Sequence, residues 1–351
     1  MIKKRQEGLD ILRAIAVIFV ISVHFFLNTK FYETPIVGLN MYLQVMLQTI
    51  FMSCIPLFLM ISGYVSRGVE ISWNYFKKLL PVIVVYIVFS ALAIAYRTLH
   101  FHEVKSIKEW ITDFLTFKAN PYSWYVNMYI GLFLISPFLN ILFNNLKNKK
   151  ERQILVAVFL FISAVPDFLN GRFSSVIQFP SYWADIYPVG FYFLGSYIRE
   201  YKPQLRKLHA SALFLGILAF ETFFECYAAK GAVYVGYMGT FASLIRLALA
   251  AVIFIALYET KLNDGLVKYA ITKVSTLSLD IYLASYVSDK VVYGFIHKFA
   301  PMSQSTIVIW MVPIVFGSFT LAFSAAILRS SLIKVRRSNI INSDRETSIT
   351  S

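Results

Sequence analysis

The sequence predicts an all-α, polytopic integral membrane protein of about ten transmembrane helices, with both termini in the cytoplasm. Three observations carry that expectation. Hydrophobic residues make up 58% of the chain and charged residues only 15%, where a soluble domain has about a quarter of its residues charged. The apolar residues gather into runs of about 20, the length that crosses a hydrocarbon core. The basic residues behind the net charge of +14 fall in short clusters between alternate runs, as cytoplasmic loops on an anionic membrane face do. The charge therefore reads as topology, and no nucleic-acid partner is expected.

Taken in order, the spans lie near 9–28, 41–65, 79–97, 122–145, 153–169, 182–199, 208–228, 239–258, 274–297 and 304–329. The first follows Lys3, Lys4 and Arg5. Its apolar core outruns the roughly 7–15 residues of a signal peptide, and no small-residue cleavage site follows it in "FFLNTKFYETP", so it reads as a retained span. The second ends before Arg67, and the third begins behind Lys77 and Lys78. The fourth opens on Trp124, Tyr125 and Tyr129 and runs into Lys147, Lys149, Lys150 and Arg152. The fifth and sixth are the shortest runs and are flanked by "VPDFLNGRFSS" and "FPSYWADIYP". The seventh carries Glu221 and Glu225, the eighth Arg246 and the ninth Asp280. The tenth precedes Lys334, Arg336 and Arg337. With the N-terminus inside, most of the Lys and Arg fall inside, the main outside group being Arg97, Lys105, Lys108 and Lys118, whereas an odd number of spans would put the later clusters outside. Residues 1–333 thus read as one transmembrane domain, and 334–351 as a polar, disordered cytoplasmic tail. Cys54 and Cys226 both lie in apolar runs and suggest neither a disulfide nor a zinc site. His100, His102 and Glu103 are close in sequence but lack a further ligand at metal-site spacing, so no metal is expected.

The first span poses a question of its own, because "LDILRAIAVIFVISVHFF" holds Asp10, Arg13 and His24 in an apolar run. Arg13 and His24 are eleven residues apart, which is three helical turns plus about 20° and about 16 Å along the axis. They share one face and reach both halves of the membrane. Ionisable residues at such depths usually face a polar cavity or pathway. The plainer alternative has Arg13 snorkelling to the headgroups and His24 at the opposite interface.

The same stretch resembles the signature of the membrane-bound acyltransferase-3 family, an Arg, ten residues and a His on the first helix. The likeness continues in "IPLFLMISGYV" (55–65), similar to the family's Ser-Gly-Tyr element, and in "YFKKLLP" (75–81), "YSWYVNMYIGLFLISPFL" (122–139), "FYFLGSYI" (191–198) and "LSLDIYLASY" (277–286). Two positions depart from the pattern. Asp280 stands where the family has Gly, and Ser285 where it often has a second His. Ser285 is expected near mid-membrane, below His24, and Asp280 to pair with a base such as Arg13 or to line the donor path.

The resemblance implies transfer of an acyl group, usually acetyl, from cytoplasmic acyl-CoA to a hydroxyl of a glycan or other cell-envelope acceptor, in a multi-pass protein of the plasma or inner membrane. Acyl-CoA is then a co-substrate, and no cofactor is expected. An extended phosphopantetheine arm matches the Arg13-to-His24 separation, so Arg13 with Asp10, Lys77, Lys78 and Ser62 make up the expected donor site. The alternative for Lys77 and Lys78 is topology alone, and for Ser62 with Gly63 a close helix approach. His24 is the expected general base, with an acyl-imidazole as a chemical variant. Glu221 and Glu225, one turn apart, are candidate orienting groups for it, although a structural ion pair between one of them and Arg246 is the plainer alternative. Trp124 and Tyr125 could stack on a sugar ring or simply anchor the interface. A chain without a further catalytic domain either completes the transfer or hands the acyl group to a separate envelope partner. A transporter or exporter of a polysaccharide or lipid-linked sugar is the competing class, against which stands the lack of a visible inverted repeat.

Overall fold

The structure is a computed structural model that describes residues 5–172, 179–239, 242–299, 304 and 306–349. It is all-α, and among the described residues the sole β pairing is an isolated bridge between Pro35 and Val233. The helices in chain order are α1 (Glu7–Leu27), α2 (Gly38–Phe51), α3 (Cys54–Ser66), α4 (Trp73–Phe76), α5 (Leu80–Phe101), α6 (Ile107–Leu115) and α7 (Trp124–Asn145). They continue with α8 (Lys149–Arg172), α9 (Tyr187–Tyr201), α10 (Lys207–Ala229), α11 (Leu244–Leu257), α12 (Leu266–Thr276), α13 (Ser278–Ile296) and α14 (Ile307–Ile349).

Among the described residues, six helical segments are long and apolar enough to cross a membrane: Glu7–Leu27, Gly38–Ser66, Trp73–Phe101, Trp124–Asn145, Lys207–Ala229 and Ile307–Leu332. The four other expected spans coincide with helices that are not among these six. The segment 153–169 lies in α8, which opens on Lys149, Lys150, Glu151 and Arg152. The segment 182–199 becomes a 3-10 turn followed by α9, which has 15 residues, and 239–258 becomes α11, which has 14. The segment 274–297 breaks at Leu277 between α12 and α13. The expected polar tail from 334 lies outside the residues whose side chains are described.

Local chemistry explains several boundaries. Pro81 occupies the first turn of α5, where its missing N–H costs nothing. The hydroxyls of Ser72, Ser106 and Ser243 cap α4, α6 and α11, and at α6 Glu109 completes a reciprocal capping box. The N–H of Asn28 bonds back to the carbonyl of His24 and closes α1.

Helix α1 runs through the middle of the bundle, with α2, α3, α12, α13 and α14 packed around it. Its lower end is fixed by Asp10, which accepts from Arg5 Nε at 2.5 Å and from Ser275 Oγ at 2.6 Å. Helix α3 lies on α9 at backbone distance. A Cβ on Gly63 would stand 1.9 Å from the Tyr192 carbonyl oxygen, and one on Gly195 2.0 Å from that of Met60. Small residues permit such approaches between membrane helices, and Ser196 adds a hydrogen bond to the Gly63 carbonyl at 3.2 Å.

Candidate active site

The end of α1 places His24 in a pocket built by α7 and α13. The ring of Tyr122, just before α7, stacks on the imidazole with 3.6 Å between centroids and 29° between planes. Asp289 Oδ2 lies 3.6 Å from His24 Nδ1, and both side chains are buried. Tyr122 ties the two together, since its hydroxyl donates to the same Asp289 oxygen at 3.0 Å. Asn28 donates to the Tyr122 hydroxyl at 2.9 Å and accepts from Lys290 Nζ at 2.9 Å. The Tyr282 hydroxyl bonds the Tyr122 backbone carbonyl and holds that loop against α13. An imidazole with Nδ1 turned to a carboxylate keeps Nε2 on its opposite edge, the arrangement that orients a general base. Spacings at such pairs often close only when substrate arrives.

Arg13 and His24 line one cavity of about 230 Å³. Its wall from α3 includes Ile55, Phe58, Ser62 and Ser66, and its wall from α7 includes Tyr125, Tyr129, Leu132 and Phe133. Ser278, Leu279 and Tyr282 complete it from α13. The lining is mostly apolar, with hydroxyls at Ser62, Ser66 and Ser136 and a cation at one end. The side chain of Arg13 is 29% accessible and 3.8 Å from Asp10. Because Asp10 is engaged by Arg5 and Ser275, Arg13 is left facing the cavity.

The other expected residues divide plainly. Ser62 and Tyr125 line the cavity. The Ser62 hydroxyl donates to the Phe58 carbonyl at 2.9 Å. Asp10 is a buried staple between α1 and α12 and does not line the cavity. Lys77 and Lys78 are exposed in the turn before α5 and lie away from the lining. Trp124 points outward, 42% exposed, while its neighbour Tyr125 points in.

Two expectations are corrected and one is made specific. Glu221 and Glu225 do not orient His24, because α10 packs chiefly against α11 and α2. Glu221 pairs with Arg246 Nε at 3.0 Å, and Glu225 accepts the backbone N–H groups of Tyr237 at 2.9 Å and Met238 at 2.7 Å. An unpaired charge at such burial would be costly, and these partners spare both carboxylates that cost. Asp280 pairs with a basic group as expected, and that group is Arg329 of α14 and not Arg13. Ser285 is not below His24: its Oγ is 3.5 Å from His24 Nδ1. The Ser275–Asp10 bond and the break at Leu277 set a register between α1 and α13 that a single straight span 274–297 would not have. The Ser285 hydroxyl does bond back along its own helix, to Tyr282 at 2.7 Å, as expected of a membrane serine.

Asp289, Tyr122 and Asn28 escaped the sequence reading. The signal for Asp289 was present as a carboxylate in an otherwise apolar stretch one turn beyond Ser285, although an acid followed by Lys290 looks like a local charge pair. The role of Tyr122 depends on a loop fold that no spacing announces.

His24, one member of this buried pair, thus lines a cavity that Arg13 also lines, within a bundle of membrane-crossing helices. The chain belongs to the membrane-bound acyltransferase-3 family: the family model described as an acyltransferase domain matches residues 6–329. It is accordingly an acyltransferase that moves groups other than amino-acyl groups. No curated protein and no solved structure matches the chain.

Proposed function

We propose that the protein is an O-acyltransferase of the plasma or inner membrane that carries an acyl group, acetyl in the first instance, from cytoplasmic acyl-CoA to a hydroxyl of an extracytoplasmic glycan or other envelope acceptor. The proposal includes ten spans with both termini in the cytoplasm, so that Arg13 faces the donor side and His24 the acceptor side. One observation carries it: a single cavity is lined at one end by Arg13 and at the other by His24. Their separation of about 16 Å along α1 suits a pantetheine arm whose phosphates stay at the guanidinium, a natural phosphate partner.

In this reading His24 Nε2 takes the proton of the acceptor hydroxyl while the oxygen attacks the thioester carbonyl. Asp289 holds the ring by Nδ1 and balances the imidazolium that forms. The tetrahedral adduct then expels the CoA sulfur, which leaves as the thiol with the proton from Nε2. Tyr122 holds the imidazole by stacking and the Asp289 carboxylate by its hydroxyl. Tyr125, on the cavity wall, is the acceptor-side aromatic this reading retains.

The test is acyl transfer by the purified protein in lipid nanodiscs, read as free CoA released and as ester on a glycan acceptor. Wild type should release CoA with acceptor present, and His24→Ala should not, while inserting and purifying normally. Flux of glycan across proteoliposomes without release of CoA would instead favour transport.

A further inference from the structure

We propose that α6 lies in the lipid of the leaflet on the His24 side, with Ile107, Ile111 and Leu115 among the acyl chains. The helix divides into three sectors. At about 100° per residue, Ile107, Ile111 and Leu115 fall at about 0°, 40° and 80°. Lys108, Thr112 and Glu109 follow at about 100°, 140° and 200°, and Asp113, Trp110 and Phe114 at about 240°, 300° and 340°. The last group is partly buried against the protein, and the first two are exposed. The aliphatic group is exposed to 80%, 55% and 76%. Scattered surface aliphatics need no explanation, but here they form one continuous sector between the docked face and the polar face. A helix resting on a membrane protein at the lipid boundary requires that order: protein on one flank, acyl chains on the next, water and headgroups on the third.

Its attachment sets its depth. The Tyr86 hydroxyl donates to the Phe114 carbonyl at 2.7 Å, and Tyr86 is inside the membrane-crossing segment Trp73–Phe101. An element bonded to the interior of that segment cannot stand clear of the bilayer. Arg97 of α5 pairs with Glu103 at 2.6 Å, and Lys105 with Asp113 at 2.7 Å. These pairs form a neutral cluster on the docked side, which allows the helix to enter a low-dielectric boundary. The loop after α6 carries Tyr122 onto His24, which identifies the leaflet. The occupant is lipid and not a soluble partner, because α5, on which α6 docks through Phe114 and Trp110, itself turns Leu92 and Leu99 outward.

The test is spin labelling in nanodiscs of phosphatidylcholine and phosphatidylglycerol, with cysteine placed singly at Ile107, Ile111, Leu115 and Thr112, and wild type as the blank for Cys54 and Cys226. Nitroxides at the first three positions should collide more with oxygen, which dissolves in lipid, than with a water-soluble nickel chelate. At Thr112 the preference should reverse. Nickel access at all four sites would overturn the proposal in favour of a water-facing helix. Exclusion of both reagents with dipolar broadening would overturn it in favour of a second copy. Should labelled variants fold poorly, a lipid-soluble carbene reagent applied to wild type should insert within Ile107–Leu115 as it does in α5, and absence of insertion in α6 alone would equally reject the idea. Neither readout depends on acyl transfer.

Discussion

Asp289 of α13 faces Nδ1 of His24 of α1 at 3.6 Å, and the hydroxyl of Tyr122 closes the triangle at 3.0 Å from the carboxylate. Replacing Asp289 with Asn keeps the shape and removes the charge that balances the imidazolium. The expected loss in kcat is about 10²–10⁴-fold, the span by which a positioned base accelerates transfer, with the KM for acyl-CoA little changed. Tyr122→Phe, which keeps the stack and loses the hydroxyl, should cost less. Steady-state kinetics on both variants check this; an Asp289→Asn enzyme with wild-type kcat would sever the pair from the chemistry.

Ser285 makes a contrasting prediction although its Oγ also approaches His24, at 3.5 Å. Its proton is committed to the Tyr282 carbonyl, and a hydroxyl is too weak a base to stand in for an imidazole. Ser285→Ala should therefore keep most of its kcat. A loss comparable to that of Asp289→Asn, measured side by side, would make Ser285 part of the reacting centre.

Arg13 should behave as a donor-binding residue. Losing a charged hydrogen-bond donor to phosphate is worth about 1.5–3 kcal/mol, so Arg13→Ala should raise the KM for acyl-CoA about 10- to 100-fold by that figure. Arg13→Lys should recover part of the loss because the charge remains. Equal effects on donor and acceptor KM would point to a structural role for the guanidinium.

Gly63 tests the α3–α9 approach. A methyl there has no room, since the Tyr192 carbonyl lies 1.9 Å from where it would sit. Gly63→Ala should destabilise by at least about 1–3 kcal/mol, the usual cost of overpacking. Thermal unfolding in detergent should show a lowered midpoint, whereas Gly131→Ala, with open space around its Cβ position, should not.

Much of the architecture was legible because apolar runs and basic clusters are local properties of the chain. Arg13 and His24 were legible for the same reason, as both lie on one helix whose periodicity places them on one face. The partners of His24 were not. Glu221 and Glu225 have the depth and chemistry of orienting groups, but which helix packs beside α1 is a tertiary fact, and α13 takes that place. Ser285 was misjudged because depth was counted along an unbroken span, while the chain turns at Leu277. Asp10 looked like part of the site and is a staple to Ser275, a bond between residues that no sequence window contains.

The contact of α3 with α9 also has a mechanical side. Between Ser62 and Ser66 the cavity wall is backed at Gly63 by the Tyr192 peptide group, with no room for a side chain between them. The opposite wall, from Tyr125 to Phe133, is made of side chains on α7, which has no comparable backing against α3. A cargo thicker than the resting bore that displaces α7 would move Tyr122, immediately ahead of that helix, with it. Bore width and the posture of the imidazole are thus mechanically linked, so that an ill-fitting cargo disturbs the base that would act on it.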